Sequence, residues 1–135
     1  MTTHNRLENV TLAAGADLST HQFKIVELDA NGDAVLSPLS KGFGVLQNHP
    51  DTAGQACTVA IKGLTKAFAG AAVSIGDKIR VQSGGWALAV TSGAAHPATF
   101  HIMGRAQTAA SSGGLFSLEL APQLLVGVSS GAAII

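Results

Sequence analysis

Asp29-Ala30-Asn31-Gly32-Asp33 sets oxygen donors at alternate positions, as the start of a calcium loop does. An EF-hand loop also needs Gly at its sixth position and a bidentate Glu at its twelfth. Those places hold Ala34 and Ser40 here, and an Asn-Gly hairpin of type I′ accounts for the same residues. The five histidines, His4, His21, His49, His96 and His101, match no zinc spacing. They are expected to be exposed or interfacial, and His21 or His49 at a subunit contact would make assembly pH-sensitive near a pKa of about 6.5. Lys41-Gly42-Phe43-Gly44 and Gly113-Gly114 lack the Lys-Ser or Lys-Thr of a phosphate loop. Ser37, Ser40, Ser74 and Ser83 sit in no Gly-x-Ser-x-Gly elbow, and no paired carboxylates stand out. Cys57 is single, which rules out an internal disulfide; alternating with Val59 and Ile61, it reads as a buried small hydrophobe. The expectation is a non-enzyme with no catalytic, cofactor or metal residues, a chain that builds a surface.

The elements that carry these residues are strands. Cys57, Val59 and Ile61; Ile79 and Val81; Trp86, Leu88 and Val90; Phe100 and Ile102; and Phe116, Leu118 and Leu120 each alternate with polar or small residues such as Lys78, Arg80 and Gln82. That period predicts half-buried strands. Phe68 and Trp86 are expected in the core, whereas Phe43 fits either a core plug or an exposed anchor. Gly76-Asp77, Ser83-Gly84-Gly85 and Ser111-Ser112-Gly113-Gly114 punctuate the runs, and Pro38, Pro50, Pro97 and Pro122 fall at their ends. Helix is scarce, with one short turn expected over residues 104–110. The fold class is all-β: a small β-sandwich or barrel with short strands, an extended N-terminal arm and little helix.

One motif occurs twice. Ala14-Gly15-Ala16-Asp17-Leu18-Ser19 and Ala69-Gly70-Ala71-Ala72-Val73-Ser74 each precede an apolar run, a Gly turn and a second run. The expected organisation is an arm over residues 1–9 and one β domain over 10–135. Within it lie two hairpin-like half-repeats near 14–36 and 69–90 and an apolar segment over 122–135.

The 135 residues carry zero formal net charge, and 12% are charged. This argues against nucleic acid, which needs a basic stripe. Hydrophobic residues make up 47% but aromatics 4%, so the apolar content is aliphatic. After Val81 only Arg105 and Glu119 are charged; the C-terminal part is read as core plus interface. The polar first residues predict no signal peptide, and no apolar stretch is long enough to span a membrane.

Val10-Thr11-Leu12-Ala13-Ala14-Gly15-Ala16-Asp17-Leu18, then Gln22-Phe23-Lys24-Ile25-Val26 and Asp29-Ala30-Asn31-Gly32, resemble the opening of the small capsid cement or decoration proteins of tailed bacteriophages. Gly42-Phe43-Gly44-Val45-Leu46-Gln47-Asn48 with Pro50, Gly54-Gln55-Ala56-Cys57-Thr58-Val59-Ala60 and Gly63-Leu64-Thr65-Lys66 are similar to the middle of that family. Ala69-Gly70 with Ile75-Gly76-Asp77 is similar to its second half. The resemblance covers roughly residues 10–120 and leaves the apolar tail from Pro122 to Ile135 outside.

The resemblance implies a virion protein, synthesised in the host bacterial cytoplasm, that binds the outside of an expanded head and locks major capsid protein subunits together. It implies a homotrimer more than a dimer and no enzymatic activity. No cofactor, nucleic acid or membrane partner is expected. Residues Thr2, Thr3, His4, Asn5, Arg6, Leu7, Glu8, Asn9 and Val10 are the candidate capsid contact, an arm able to add a strand to the shell. Leu124, Leu125, Val126, Val128, Ile134 and Ile135 are the candidate oligomer interface. Two alternatives remain open: a trimeric fibre, spike or head-fibre module, and a small β-barrel metal-dependent enzyme using His49, His96 or His101.

Overall fold

The computed structural model describes residues 7–36, 42–90 and 99–128, with side chains described for all but 99–101 and 121–128. The described residues form nine strands and no helix: β1 (Glu8–Ala13), β2 (Ile25–Leu28), β3 (Ala34–Leu36), β4 (Gly44–Leu46), β5 (Ala56–Phe68), β6 (Lys78–Gln82), β7 (Trp86–Ala89), β8 (Thr99–Ala106) and β9 (Leu115–Val128). All strand pairs are antiparallel, in the order β3-β2-β4-β5-β9-β8-β6-β7, with β1 also on β5. The fold is all-β. Seven strands are short, but β5 runs 13 residues and β9 runs 14.

The long β5 divides the sheet into two units of the same design. Its first half pairs with β1 and β4, and β2 and β3 complete the first unit. Its second half pairs with β9, and β8, β6 and β7 complete the second. Each unit curls back on itself through one parallel bridge, Ala14 to Ala34 in the first and Ala69 to Ala87 in the second.

The loop bonds match pair by pair. Gly15 N–H donates to Ala34 O and Gly70 N–H to Ala87 O, both at 2.8 Å. Gly54 N–H donates to Ala14 O and Gly113 N–H to Ala69 O, both at 2.7 Å. Leu18 N–H reaches Pro50 O and Val73 N–H reaches Ala110 O, both at 2.9 Å. Gln47 N–H reaches Thr58 O and Gln107 N–H reaches Ser117 O, both at 2.8 Å. A repeated sequence motif thus specifies a repeated hydrogen-bond network.

Two apolar clusters follow. Ala14, Leu18, Val26, Ala34, Leu46, Cys57 and Val59 fill the first unit, with Val10, Leu12 and Phe43 against them. The other cluster fills the second unit and extends to Ile25, Val45 and Ala60. Neighbouring residues of β2, β4 and β5 are therefore buried on both faces (Ile25 with Val26, Val45 with Leu46, Ala60 with Val59), because the second unit packs on the outside of the first.

Ile25 N–H donates to Gly85 O at 2.8 Å across this junction. Lys24, 9% exposed, lies between two rings. Its Nζ is 3.7 Å from the Trp86 centroid and 5.7 Å from that of Phe68, and the rings meet edge to face at 6.2 Å. Burial lowers the Lys24 pKa, while the ring faces favour the charged form.

Several local expectations are corrected. Residues 104–106 belong to β8, so no helical turn forms there. Among non-glycine residues described, Phe23 alone has positive φ, so Asn31-Gly32 is not a type I′ turn, which needs two such residues. Instead Gly32 (φ 80°) takes the left-handed position, with Gly32 N–H to Asp29 O at 3.0 Å and Asp29 N–H to Asp33 O at 2.9 Å. In β7 the buried residues are Ala87 and Ala89, and Trp86 is half-buried on the opposite face. Phe68 is likewise half-buried, at the junction. Arg80 is buried rather than outward, next to a register shift in the β6–β8 ladder.

Pro122 lies inside β9 rather than at its end. The β8–β9 register shifts there, Ile102 facing Leu125 and Gly104 facing Leu120. Such a bulge tolerates the missing N–H.

Gly44 and Gly104 occupy the same place in the two units. A Cβ on Gly44 would stand 2.3 Å from Ala60 O, and one on Gly104 1.8 Å from Glu119 O. Gly44→Ala and Gly104→Ala should each cost about 3 kcal/mol, because backbone must move. Gly54→Ala, which meets open space at φ +92°, should cost about 1 kcal/mol. Denaturant unfolding followed by the single Trp86 will rank them; equal losses would refute the close-approach account.

His21 yields a pH prediction. Its Nδ1 is buried without a hydrogen-bond partner, and burial, then nearby Lys24, lowers its pKa against the pull of Asp17. The folded pKa lies below the unfolded value of about 6.5, so the unfolded chain takes up the proton first. Stability should be full above about pH 6.5 and fall as pH drops through the folded pKa. His21→Asn should flatten the unfolding midpoint across that window; an unchanged slope would assign the effect elsewhere.

Candidate interaction surfaces

The N-terminal candidates are divided by the structure. Thr2, Thr3, His4, Asn5 and Arg6 lie outside the described residues. Leu7 packs on the second unit's cluster. Glu8, Asn9 and Val10 open β1, opposite Lys62, Ala60 and Val59. Val10 also packs into the first unit, so Leu7 and Val10 hold the body of the fold.

The C-terminal candidates meet on β9. Leu125 faces Ile102, Val126 faces His101 and Val128 faces Thr99, with Leu124 one residue before Leu125. Ile134 and Ile135 lie outside the described residues. The β5 partner of β9 ends at Gly63 opposite Leu120, since the preceding β5 residue, Lys62, pairs with Glu8. Residues 121–128 and 99–101 therefore run on as a two-stranded ribbon whose outer edges have no partner strand among the described residues. A lone two-stranded ribbon is marginal in water, and open ladder groups invite another strand. The sequence here is apolar, which fits a surface that something covers.

The other chemical candidates are not assembled into a site. Asp29 Oδ1 accepts from the N–H groups of Asn31 and Asp33, both at 2.9 Å, so that oxygen serves the turn. His49 is exposed, His101 lies on β8, and His4 and His96 are outside the described residues. Among the described residues no three His, Cys, Asp or Glu side chains converge to hold a metal. Cys57 is fully buried, and burial, then Asp33, raises its pKa; a thiol so placed is inert.

Two hollows mark the second unit. One, of about 270 Å³, lies where Gly70, Gln82, Ser83, Trp86, Ser112 and Gly113 meet. The other, of about 260 Å³, is lined by Lys66, Thr108, Leu115, Phe116 and Ser117. Sequence reasoning did not single out Lys24 or this second hollow. The one available signal was a lysine opening a buried apolar run, Lys24-Ile25-Val26.

Comparison with known proteins agrees with this architecture. None of the curated proteins compared with the chain matches it. Among solved structures, the head fiber gp8.5 N base of bacteriophage phi29 superposes with a TM-score of 0.60 at 15% identity, over 89% of this chain and 98% of that one. At that identity the likeness shows a shared fold. The phage cement protein family matches residues 3–119. The chain belongs to that family and is a structural protein of the bacteriophage virion.

Proposed function

We propose that this protein binds the outer surface of a tailed-phage head and cements neighbouring major capsid protein subunits, as a homotrimer without enzymatic activity. The observation that carries this reading is the family match over residues 3–119. The physical logic is linkage: a ligand that binds only the closed, expanded shell stabilises it by its own binding free energy. Contacts repeated around a multimer add avidity without any one strong site. Residues 2–6, with the exposed Glu8 and Asn9, supply the capsid contact, and the β9 ribbon, with Leu124, Leu125, Val126 and Val128, supplies the subunit interface. The ribbon's edges, unpaired among the described residues, support that assignment.

A second reading has its own support. The likeness to a head fiber base favours a module that seats a fibre on the head rather than one that reinforces it.

Co-sedimentation with expanded, undecorated heads of the same phage should show saturable binding at a fixed ratio to the major capsid protein, and the decorated heads should resist heat better. Binding without added heat resistance would favour the fibre-base reading; no binding by the folded protein would reject both. Deleting residues 2–6, which spares Leu7 and β1, should weaken binding about tenfold or more, the loss of roughly 1.4 kcal/mol, with the unfolding midpoint unchanged. Undiminished binding would remove the arm from the contact.

A further inference from the structure

The chain is neutral as a whole but polar from one unit to the other. Residues 7–61 hold six acidic and two basic residues, whereas residues 62–135 hold five basic and two acidic. The acids of the first unit gather at one end. The turn carrying Asp17 is joined to the Pro50–Gly54 loop by Leu18 N–H to Pro50 O and Gly54 N–H to Ala14 O, which brings Asp51 alongside. The Asp29 carboxylate lies beside Gly15, and Asp33 closes the same hairpin loop. The corresponding loops of the second unit, 70–73, 83–85 and 111–114, carry no charge.

Three of the five basic residues of this half, Lys66, Lys78 and Arg105, lie on the outer sheet face of the second unit. Lys78 pairs with Arg105, Arg105 with Glu119, Glu119 with Leu64, and Ser117 with Lys66. Directly paired residues share a face, so Lys66, Lys78 and Arg105 stand together, all exposed. Arg105 meets Glu119 at 3.4 Å, and Lys66 and Lys78 form no ion pair among the described residues. Leu115, 44% exposed, and the hollow of about 260 Å³ beside Lys66 give the face an apolar recess.

We infer that this basic face receives the acidic end, Asp17, Asp29, Asp33 and Asp51, of the first unit of a second copy. The contact is head to tail: one patch meets a different patch, as a closed ring of copies requires. It rests on the homo-oligomeric reading above and assigns that reading a second interface besides the β9 ribbon. Both partner surfaces are on one chain, so each copy can offer its acidic end to one neighbour and its basic face to another.

Sedimentation velocity of the full chain at about 0.05 M and about 0.5 M salt tests it, since screening weakens exposed charge pairs. Association should weaken at high salt. Lys66→Glu with Lys78→Glu, and separately Asp33→Lys with Asp51→Lys, should each weaken it at least about tenfold through like-charge contact. All four substitutions in one chain should restore it, with Trp86 emission confirming the fold. Association indifferent to all of these would overturn the inference while leaving the oligomer standing; a monomer at every salt concentration would overturn both. Lysine reversals that abolish binding to heads but not self-association would overturn it by giving the face to the shell.

Discussion

Strand β5 hydrogen-bonds to β1 and β4 through its first half and to β9 through its second. It is the last strand of one unit and the first of the next, so the units share a backbone instead of a linker. At about 3.3 Å per residue its 13 residues span roughly 43 Å. Moving one unit against the other would break ladder bonds worth about 1 kcal/mol each, as well as the Lys24 contact with Trp86. The handover falls at Gly63, where φ is +105°; Lys62 still pairs with β1 and Gly63 already pairs with β9. A residue with a side chain would resist that bend.

The composition follows from this economy of space. Each unit is a narrow, curled sheet, and its interior admits small side chains. Ala34, Ala60, Ala67, Ala69 and Ala87 are wholly buried. Gly44 and Gly104 let β4 and β8 cross close over the carbonyls of Ala60 and Glu119. A core of this kind explains a chain rich in aliphatic residues and poor in aromatic ones. It also fits the place of Trp86, the largest side chain, which stands with Phe68 outside the curled units at the junction, clasping a lysine, while one ring, Phe116, is buried in the second unit.

Local chemistry was legible in the sequence where it is local. The alternation of Cys57 and Val59 names one buried face of β5, although Ala60 is buried on the other and Ile61 only half-buried, and the repeated Ala-Gly motif marks the two places where a unit closes. What period alone missed comes from long range. Ala87 and Ala89 take the inner face because the junction claims Trp86. Arg80 is buried because β6 lies between β7 and β8 beside a register shift. Pro122 sits within a strand because a bulge removes the need for its N–H. Of the candidate surfaces, Val10 shows the limit most clearly: nothing in its type separates an arm residue from a strand residue, and only the pairing with Val59 does.

The repeated frame and the unrepeated loops have different jobs. Backbone bonds at Gly15 and Gly70, at Gly54 and Gly113, and at Gln47 and Gln107 are the same in both units, so they serve the fold. The loops those bonds hold are acidic in the first unit and made of Gly, Ala and Ser in much of the second. Loops on a rigid scaffold are where interactions diverge most freely. A two-unit chain can therefore present two unlike surfaces from one architecture, at a separation fixed by β5. The cementing role proposed above calls for such fixed spacing, since contacts made together add to one another only when the geometry lets all of them form.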